Sequence, residues 1–325
     1  MHQTVAGHLE TFLAQCRVET EGLPMFVERE FRRYLECGIL AHGFLRLRCD
    51  TCERETVLAF SCKARGFCPS CIGRRMADTA AQLVDFVFPR EIPVRQFVLS
   101  FPIQIRHRLA FDPKLTTRAH EIFMRAVTGF YRRRVKRLGH ANGKTGAVTY
   151  VQRFGSSINL NPHFHSLVLD GVYVDDGLGN EPLFIALPEP TEEEIKTLTE
   201  VMARRLIELL LRRGAIKEEQ VQPMDCAEDQ ALLAEICDAS INNLIATGPN
   251  RGRRVRRVLE DPPDGVFQSK LCWSSSGFSL HAATHVTPGD HKKLERLCRY
   301  ISRPPVANGS LSTRPNGDIE FEMKR

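Results

Sequence analysis

The residues best placed to do chemistry are His163 and His165, which flank Phe164 in Asn161-Pro-His-Phe-His-Ser-Leu-Val-Leu-Asp-Gly171. The run reads as a strand, and in a strand residues i and i+2 point to one face. Both imidazoles therefore project together, and Phe164 turns the other way into a core. Two neutral imidazoles side by side can hold a divalent metal. Such a metal needs at least one further protein ligand. If Ala147 to Phe154 pairs with the histidine strand as a hairpin, Gln152 lies opposite the pair and its amide oxygen can serve. Gln104, His281, His285 and Glu295 stay open as alternatives. A metal on a strand face, with cations nearby, suggests phosphoryl transfer, because it would polarise a scissile phosphate and offset its developing charge. The nucleophile would be Tyr300, near the end of a helix with Arg296, Arg299 and Arg303 around it. Guanidinium charge favours phenolate and also binds phosphate. Tyr34, Tyr131, Tyr150 and Tyr173 are worse placed: Tyr150 and Tyr173 fall in strands, and Tyr34 in the N-terminal part.

A second chemical pattern lies upstream. Cys49-Asp-Thr-Cys52 and Cys68-Pro-Ser-Cys71 are two C-x2-C pairs with fifteen residues between them. That spacing suits a tetrahedral four-thiolate zinc site. The expected ligands are Cys49, Cys52, Cys68 and Cys71, with Cys37, His42 and Cys62 as nearby spares. A closed four-thiolate site leaves no position for substrate, so its job is to fold a segment poor in large apolar residues. Arg46, Arg48, Lys63, Arg65, Arg74 and Arg75 surround it and would face DNA.

The bulk numbers bound the partners. The 325 residues are 42% hydrophobic and 26% charged, with a net charge of +6. The charge is clustered: Tyr131-Arg-Arg-Arg-Val-Lys-Arg137 and Arg251-Gly-Arg-Arg-Val-Arg-Arg257 each hold five cations in seven residues. Arginine-dense segments suit phosphate contacts, and nucleic acid is the expected partner. Eleven cysteines, odd in number and clustered, argue against a secreted disulfide scaffold. No run approaches membrane-spanning length and the start carries no signal-peptide pattern. A reduced, bacterial cytoplasm, near the nucleoid, is the expected location. A homo-oligomer stays open.

The positioning elements follow from periodicity and punctuation. Helices are expected over 24–36, 72–87, 112–137, 191–213, 226–246 and 291–302. Strands are expected over 44–48, 55–60, 94–101, 147–154, 163–174 and 319–323, with a strand pair in 268–280 around Gly277. Residues 249–263 read as a basic loop. A boundary in Pro89 to Pro93 divides the chain into a zinc-binding, DNA-binding domain at 1–90 and a catalytic domain at 91–325. Strand-helix-strand-strand-helix in the second part begins an antiparallel sheet with helices packed on one face, an α+β arrangement.

Phe60-Ser-Cys-Lys-Ala-Arg-Gly-Phe-Cys-Pro-Ser-Cys-Ile-Gly-Arg-Arg-Met76 resembles the zinc-binding front end of rolling-circle transposases of the insertion sequence ninety-one group. Val151 to Gly155, Asn159 to Tyr173 and Arg299-Tyr-Ile-Ser-Arg-Pro-Pro305 resemble the same family's transposase domain. The resemblance runs from about residue 10 to the end. It implies an HUH endonuclease, in which paired histidines hold Mg2+ or Mn2+ on a ferredoxin-like antiparallel sheet. A tyrosine then forms a 5′-phosphotyrosine with single-stranded or locally melted DNA at an element end. Carried over residue by residue, His163 and His165 are metal ligands and Tyr300 the nucleophile. Many members have two tyrosines four apart; Arg296 stands at the earlier position here, which resembles a single-tyrosine branch. The chain stops at Arg325 where relatives run on, which reads as a truncated copy. Two other readings are a non-catalytic, zinc-dependent DNA-binding protein, a regulator or a decayed copy, and a small-substrate metal phosphoesterase. The zinc segment and arginine clusters count against the second.

Overall fold

A computed structural model describes residues 1–19, 22–64, 66–141, 143–155, 158–175, 180–214, 231–242, 244–248, 250–254 and 270–322. Arg65, Arg256 and Arg257, together with the start of the helix expected over 226–246 and the end of the last strand, lie outside them. Two helices open the chain, α1 (His2–Glu19), which periodicity did not single out, and α2 (Met25–Leu35). A hairpin, β1 (Phe44–Arg48) and β2 (Glu55–Ala59), precedes α3 (Pro69–Gln82), which runs on through a π-helical turn, Leu83–Val87. Next come β3 (Val94–Ser100), α4 (Ile103–Phe111), α5 (Pro113–Arg137), β4 (Ala147–Phe154) and β5 (Leu160–Leu169). Then follow β6 (Gly171–Val174), β7 (Leu183–Ala186), α6 (Glu192–Arg212), α7 (Ala231–Ile241), β8 (Cys272–Ser275), β9 (Phe278–His281) and β10 (His285–Val286). The last are α8 (His291–Ile301), β11 (Leu311–Thr313) and β12 (Ile319–Phe321).

The central sheet runs β4-β5-β3-β9-β8, with β10 also on β3, and every pairing is antiparallel. The chain order β3-α5-β4-β5-α6-β9 is a split β-α-β-β-α-β arrangement. Alternation along β5 sorts the two faces. Phe164 and Val168 join Phe97, Leu99 and Leu280 in a core against α5 and α6. Leu167 and Leu169 join Val94 in a second core with Ala80, Leu83, Val84, Leu294 and Ile301.

The expectation of helices on one face is therefore corrected. α5 and α6 cover one face, while α3 and α8 cover the other, with the C-terminal end of α8 reaching its histidine end. The physical reason is plain: Leu167 and Leu169 follow the histidines at the same parity and need cover of their own. The α+β class stands. The strand expected to run through to Val174 ends at Leu169, because Gly171–Val174 turns away to pair with β7.

Asp170 explains that break. It is buried between Arg95, at 2.9 Å from Nε, and the Tyr131 hydroxyl, which donates at 2.8 Å. His285 Nε2 lies 3.4 Å from the same carboxylate. Three elements, β3, α5 and β10, are pinned to the β5–β6 junction at one buried charge. Part of the expected phosphate-binding cluster is also structural: Arg134 is buried, donates to the Pro188 carbonyl and pairs with Glu194. Arg132 and Arg133 are exposed. Among the described residues no helix is long and apolar enough to cross a membrane.

Candidate metal centres and active site

The thiol cluster differs from the spacing-based expectation. Cys68 and Cys71 meet Cys37 and Cys62, the two spares, with all four sulfurs within 4.8 Å of one another. Cys37 to Cys71 is 3.6 Å, Cys62 to Cys71 is 3.5 Å and Cys68 to Cys37 is 3.7 Å. A tetrahedron with zinc–sulfur bonds of about 2.3 Å has sulfurs about 3.8 Å apart, so the donor set fits zinc. Cys49 and Cys52 are exposed at the closed end of the β1-β2 hairpin and are not part of the cluster. The reason is the hairpin register. Phe44 pairs with Ala59 and Arg48 with Glu55, and Gly38 N–H donates to the Phe60 carbonyl at 2.9 Å. The hairpin's open end thus gathers Cys37 and Cys62. Its five-residue strands carry Cys49 and Cys52 about 17 Å away, at about 3.4 Å per residue.

Cys68 caps α3 and Cys71 lies in its first turn, where the helix dipole favours thiolate. Burial pushes the Cys68 thiol up to about 11 and the Cys62 thiol up as well. Without a cation these are poor sites for charge.

The second constellation lies on the sheet face bearing the histidines. The His163 and His165 rings are 4.7 Å apart, centre to centre, and both are buried. Tyr300 enters from α8, its ring edge-on to His165 at 5.6 Å. Gln152 sits opposite His163 in the β4-β5 ladder, as the hairpin reading expects. Its amide N–H donates to the carbonyls of Tyr300 and Ile301 at 3.1 and 2.9 Å. Those two bonds fix the amide, and Gln152 Oε1 is left buried without a partner. His165 Nε2 is likewise buried and unpartnered. His163 Nδ1 lies 2.6 Å from the Asn161 carbonyl; donating there leaves Nε2 with a free lone pair.

Burial lowers the His163 pKa, and burial with the neighbouring His163 holds His165 down to about 3. Both rings are therefore neutral near pH 7, as metal ligands must be. His163 Nε2, the orphaned amide oxygen, and His165 Nε2 once its proton sits on Nδ1 form a donor set that suits a hard or borderline divalent cation.

The other candidates fall elsewhere. Gln104 is exposed on α4, and His281 lies across β3 from His165, two strand spacings or about 9.6 Å away. His285 belongs to the Asp170 network and Glu295 pairs with Arg299 at 2.8 Å. Of the three arginines placed near Tyr300, Arg303 lies over its ring at 4.5 Å, while Arg296 Nε donates to the Lys292 carbonyl. Sequence reasoning missed Gln96, whose amide nitrogen is 2.8 Å from His165 Nδ1. With Gln96 N–H donating, His165 carries its proton on Nε2; turning the amide frees that lone pair. A buried amide at the histidine parity of the neighbouring strand, between Val94 and Val98, is the signal that marks it.

A family model for transposases matches residues 146–325, more than half of the chain, and takes in Gln152, His163, His165 and Tyr300. A model for the IS91 transposase zinc-binding domain matches residues 5–101 and takes in the four clustered cysteines. No curated protein and no solved structure matches the chain. With a zinc-binding transposase domain and a transposase domain in tandem, this chain belongs to the IS91-type transposase family.

Proposed function

We propose that this transposase cuts and rejoins single-stranded or locally melted DNA at element ends, with Tyr300 as nucleophile. A divalent cation, Mg2+ or Mn2+, would sit among His163, His165 and Gln152. The observation that carries the reading is the convergence of two neutral imidazoles, an orphaned amide oxygen and a half-exposed tyrosine on one patch of sheet.

The Tyr300 oxygen attacks the scissile phosphorus. A tyrosine–phosphorus bond forms at the 5′ phosphate, the bond to the 3′ oxygen breaks, and that oxygen leaves as a hydroxyl with a proton. Arg303, over the Tyr300 ring, is placed to meet the phosphate as Tyr300 attacks it. The bound cation supplies polarisation of the phosphate and offsets its charge. Rejoining reverses the step with a 3′-hydroxyl as acceptor. Arg296 occupies the position one turn before Tyr300, so one nucleophile serves each cycle.

In this reading residues 1–90 bind DNA, residues 91–325 carry the chemistry, and Cys37, Cys62, Cys68 and Cys71 hold structural zinc. The protein works in the bacterial cytoplasm, at the nucleoid.

The test incubates the protein with labelled single-stranded oligonucleotides from element ends and Mn2+. A covalent adduct on a denaturing gel is expected, absent in Tyr300→Phe and in His163→Ala. An adduct surviving Tyr300→Phe moves the nucleophile elsewhere. Tight DNA binding with no adduct under any condition leaves the non-catalytic DNA-binding reading.

A further inference from the structure

A cleft of about 190 Å3 opens beside the candidate active site, between α3, β4 and the end of α8. The zinc-anchored helix α3 supplies Arg75, Met76 and Thr79; β4 supplies Tyr150 and Gln152; and Arg303 closes the end. Two of these residues, Gln152 and Arg303, also belong to the active-site patch. The cleft therefore adjoins the place where a scissile phosphate would sit.

We propose that this cleft receives one unpaired base, that of a nucleotide next to the scissile phosphate, so that α3 reads sequence at the cut. The inference rests on the function proposed above. Size is the first argument. Sites for drug-sized ligands run to roughly 300–1,000 Å3, so this cleft suits a single ring system and excludes a stacked base pair.

Chemistry is the second. Extruded bases are held between aromatic and apolar side chains and read at their polar edges. Here Tyr150 and Met76 offer the apolar faces, and Arg75 and Thr79 the polar groups. Arg303 adds an observation that itself points to a ligand: its Nε is buried and unpartnered, beside a ring that would carry phosphate.

Rigidity is the third. α3 begins at the thiol cluster and ends in the core that includes Leu294 and Ile301 of α8. Thr79 of α3 and Tyr150 of β4 both line the cleft. Discrimination needs walls that do not yield, and this wall is held at both ends.

The experiment presents the full-length protein and Mn2+ with a pool of single-stranded oligonucleotides randomised around the cut. Covalent adducts are isolated and their junctions sequenced. The expected result is a base preference at one position next to the cut. An abasic site there should slow adduct formation at least about fivefold, the lower end of what a stacked base contributes. Met76→Trp fills the cleft and Arg75→Ala removes an edge reader. Both should form adducts with that preference lost, and with zinc content and melting temperature unchanged. A preference intact in both folded variants overturns the inference while leaving the nuclease reading standing.

If the wild type forms no adduct, the nuclease reading falls and the cleft is judged by binding. Oligonucleotides carrying 2-aminopurine at successive positions should then show quenching at one position, relieved by Met76→Trp. Uniform fluorescence along the oligonucleotide overturns the inference.

Discussion

Replacing Cys37 or Cys62 with serine should strip the zinc, and replacing Cys49 or Cys52 should not. The geometry sets the expectation. Sulfur separations of 3.5 to 3.7 Å lie within a few tenths of an ångström of the roughly 3.8 Å that a tetrathiolate zinc requires. The exposed hairpin-tip pair stands about 17 Å from that centre, by the length of its strands.

The energetic stake is large because the surrounding apolar cluster is small. Apart from the cysteines, it is built on Tyr34 and Ala64, with Met1, Val5, Leu35 and Phe67 at its edge. Structural zinc in small domains is worth about 10–16 kcal/mol near pH 7, comparable with the whole stability of a typical protein. Losing even about 4 kcal/mol shifts melting by roughly 8–16 °C for a chain of a few hundred residues. Zinc is read by inductively coupled plasma mass spectrometry on protein purified without added metal, and melting by scanning calorimetry. About one zinc per chain in the wild type and in Cys49→Ser, with little in Cys37→Ser and Cys62→Ser, is expected. Zinc lost from Cys49→Ser and kept in Cys37→Ser would refute the cluster geometry and restore the paired C-x2-C arrangement.

Asp170→Ala should destabilise by about 3–5 kcal/mol in urea unfolding, because Arg95 is left buried and unpaired; a loss below 1 kcal/mol would mean that water replaces the carboxylate. Arg134→Ala should lower stability with little change in DNA affinity, whereas Arg132→Ala should leave melting unchanged and reduce the salt slope of DNA binding by about one. Fluorescence anisotropy across a salt series separates the two. Burial lowers the His120 and His281 pKa values, so the unfolded chain takes up protons there before the folded one does. Their contribution is present above about pH 6.5 and is lost as pH falls below it. The fall in melting temperature between pH 7 and pH 5 should shrink in His120→Phe, and an unchanged fall would exclude that ring.

Much of the candidate patch was legible because local pattern governs it. The alternation that buries Phe164 and Leu167 on opposite faces also commits His163 and His165 to one face, and a short connection to β4 places Gln152 opposite them. Tyr300 was legible from its arginine-rich helix, although only long-range packing brings α8 over the histidines. The zinc ligands were half legible. A C-x2-C search finds pairs close in sequence, while Cys37 and Cys62 are joined through the base of a hairpin. Their signal was the hairpin itself, whose open end must bring its flanks together. The covering of the second face was misread because an α3 stripe of Ala80, Leu83 and Val84 does not announce its partner. That partner is α8, more than two hundred residues downstream.

This long-range packing bears on what the zinc does. The thiol cluster holds one end of α3, and the other end shares a core with the helix that carries Tyr300. Loss of zinc frees the first turns of α3, where Ile72, Arg75 and Met76 line the cleft. The His163–His165 pair belongs to β5, held between β3 and β4, and does not depend on that turn. Chelation of the zinc should therefore weaken the grip on DNA at the cut more than it weakens Mn2+ binding at the histidines. In the proposed function a structural metal would act on the cut by fixing one wall of the site, without ever meeting the phosphate.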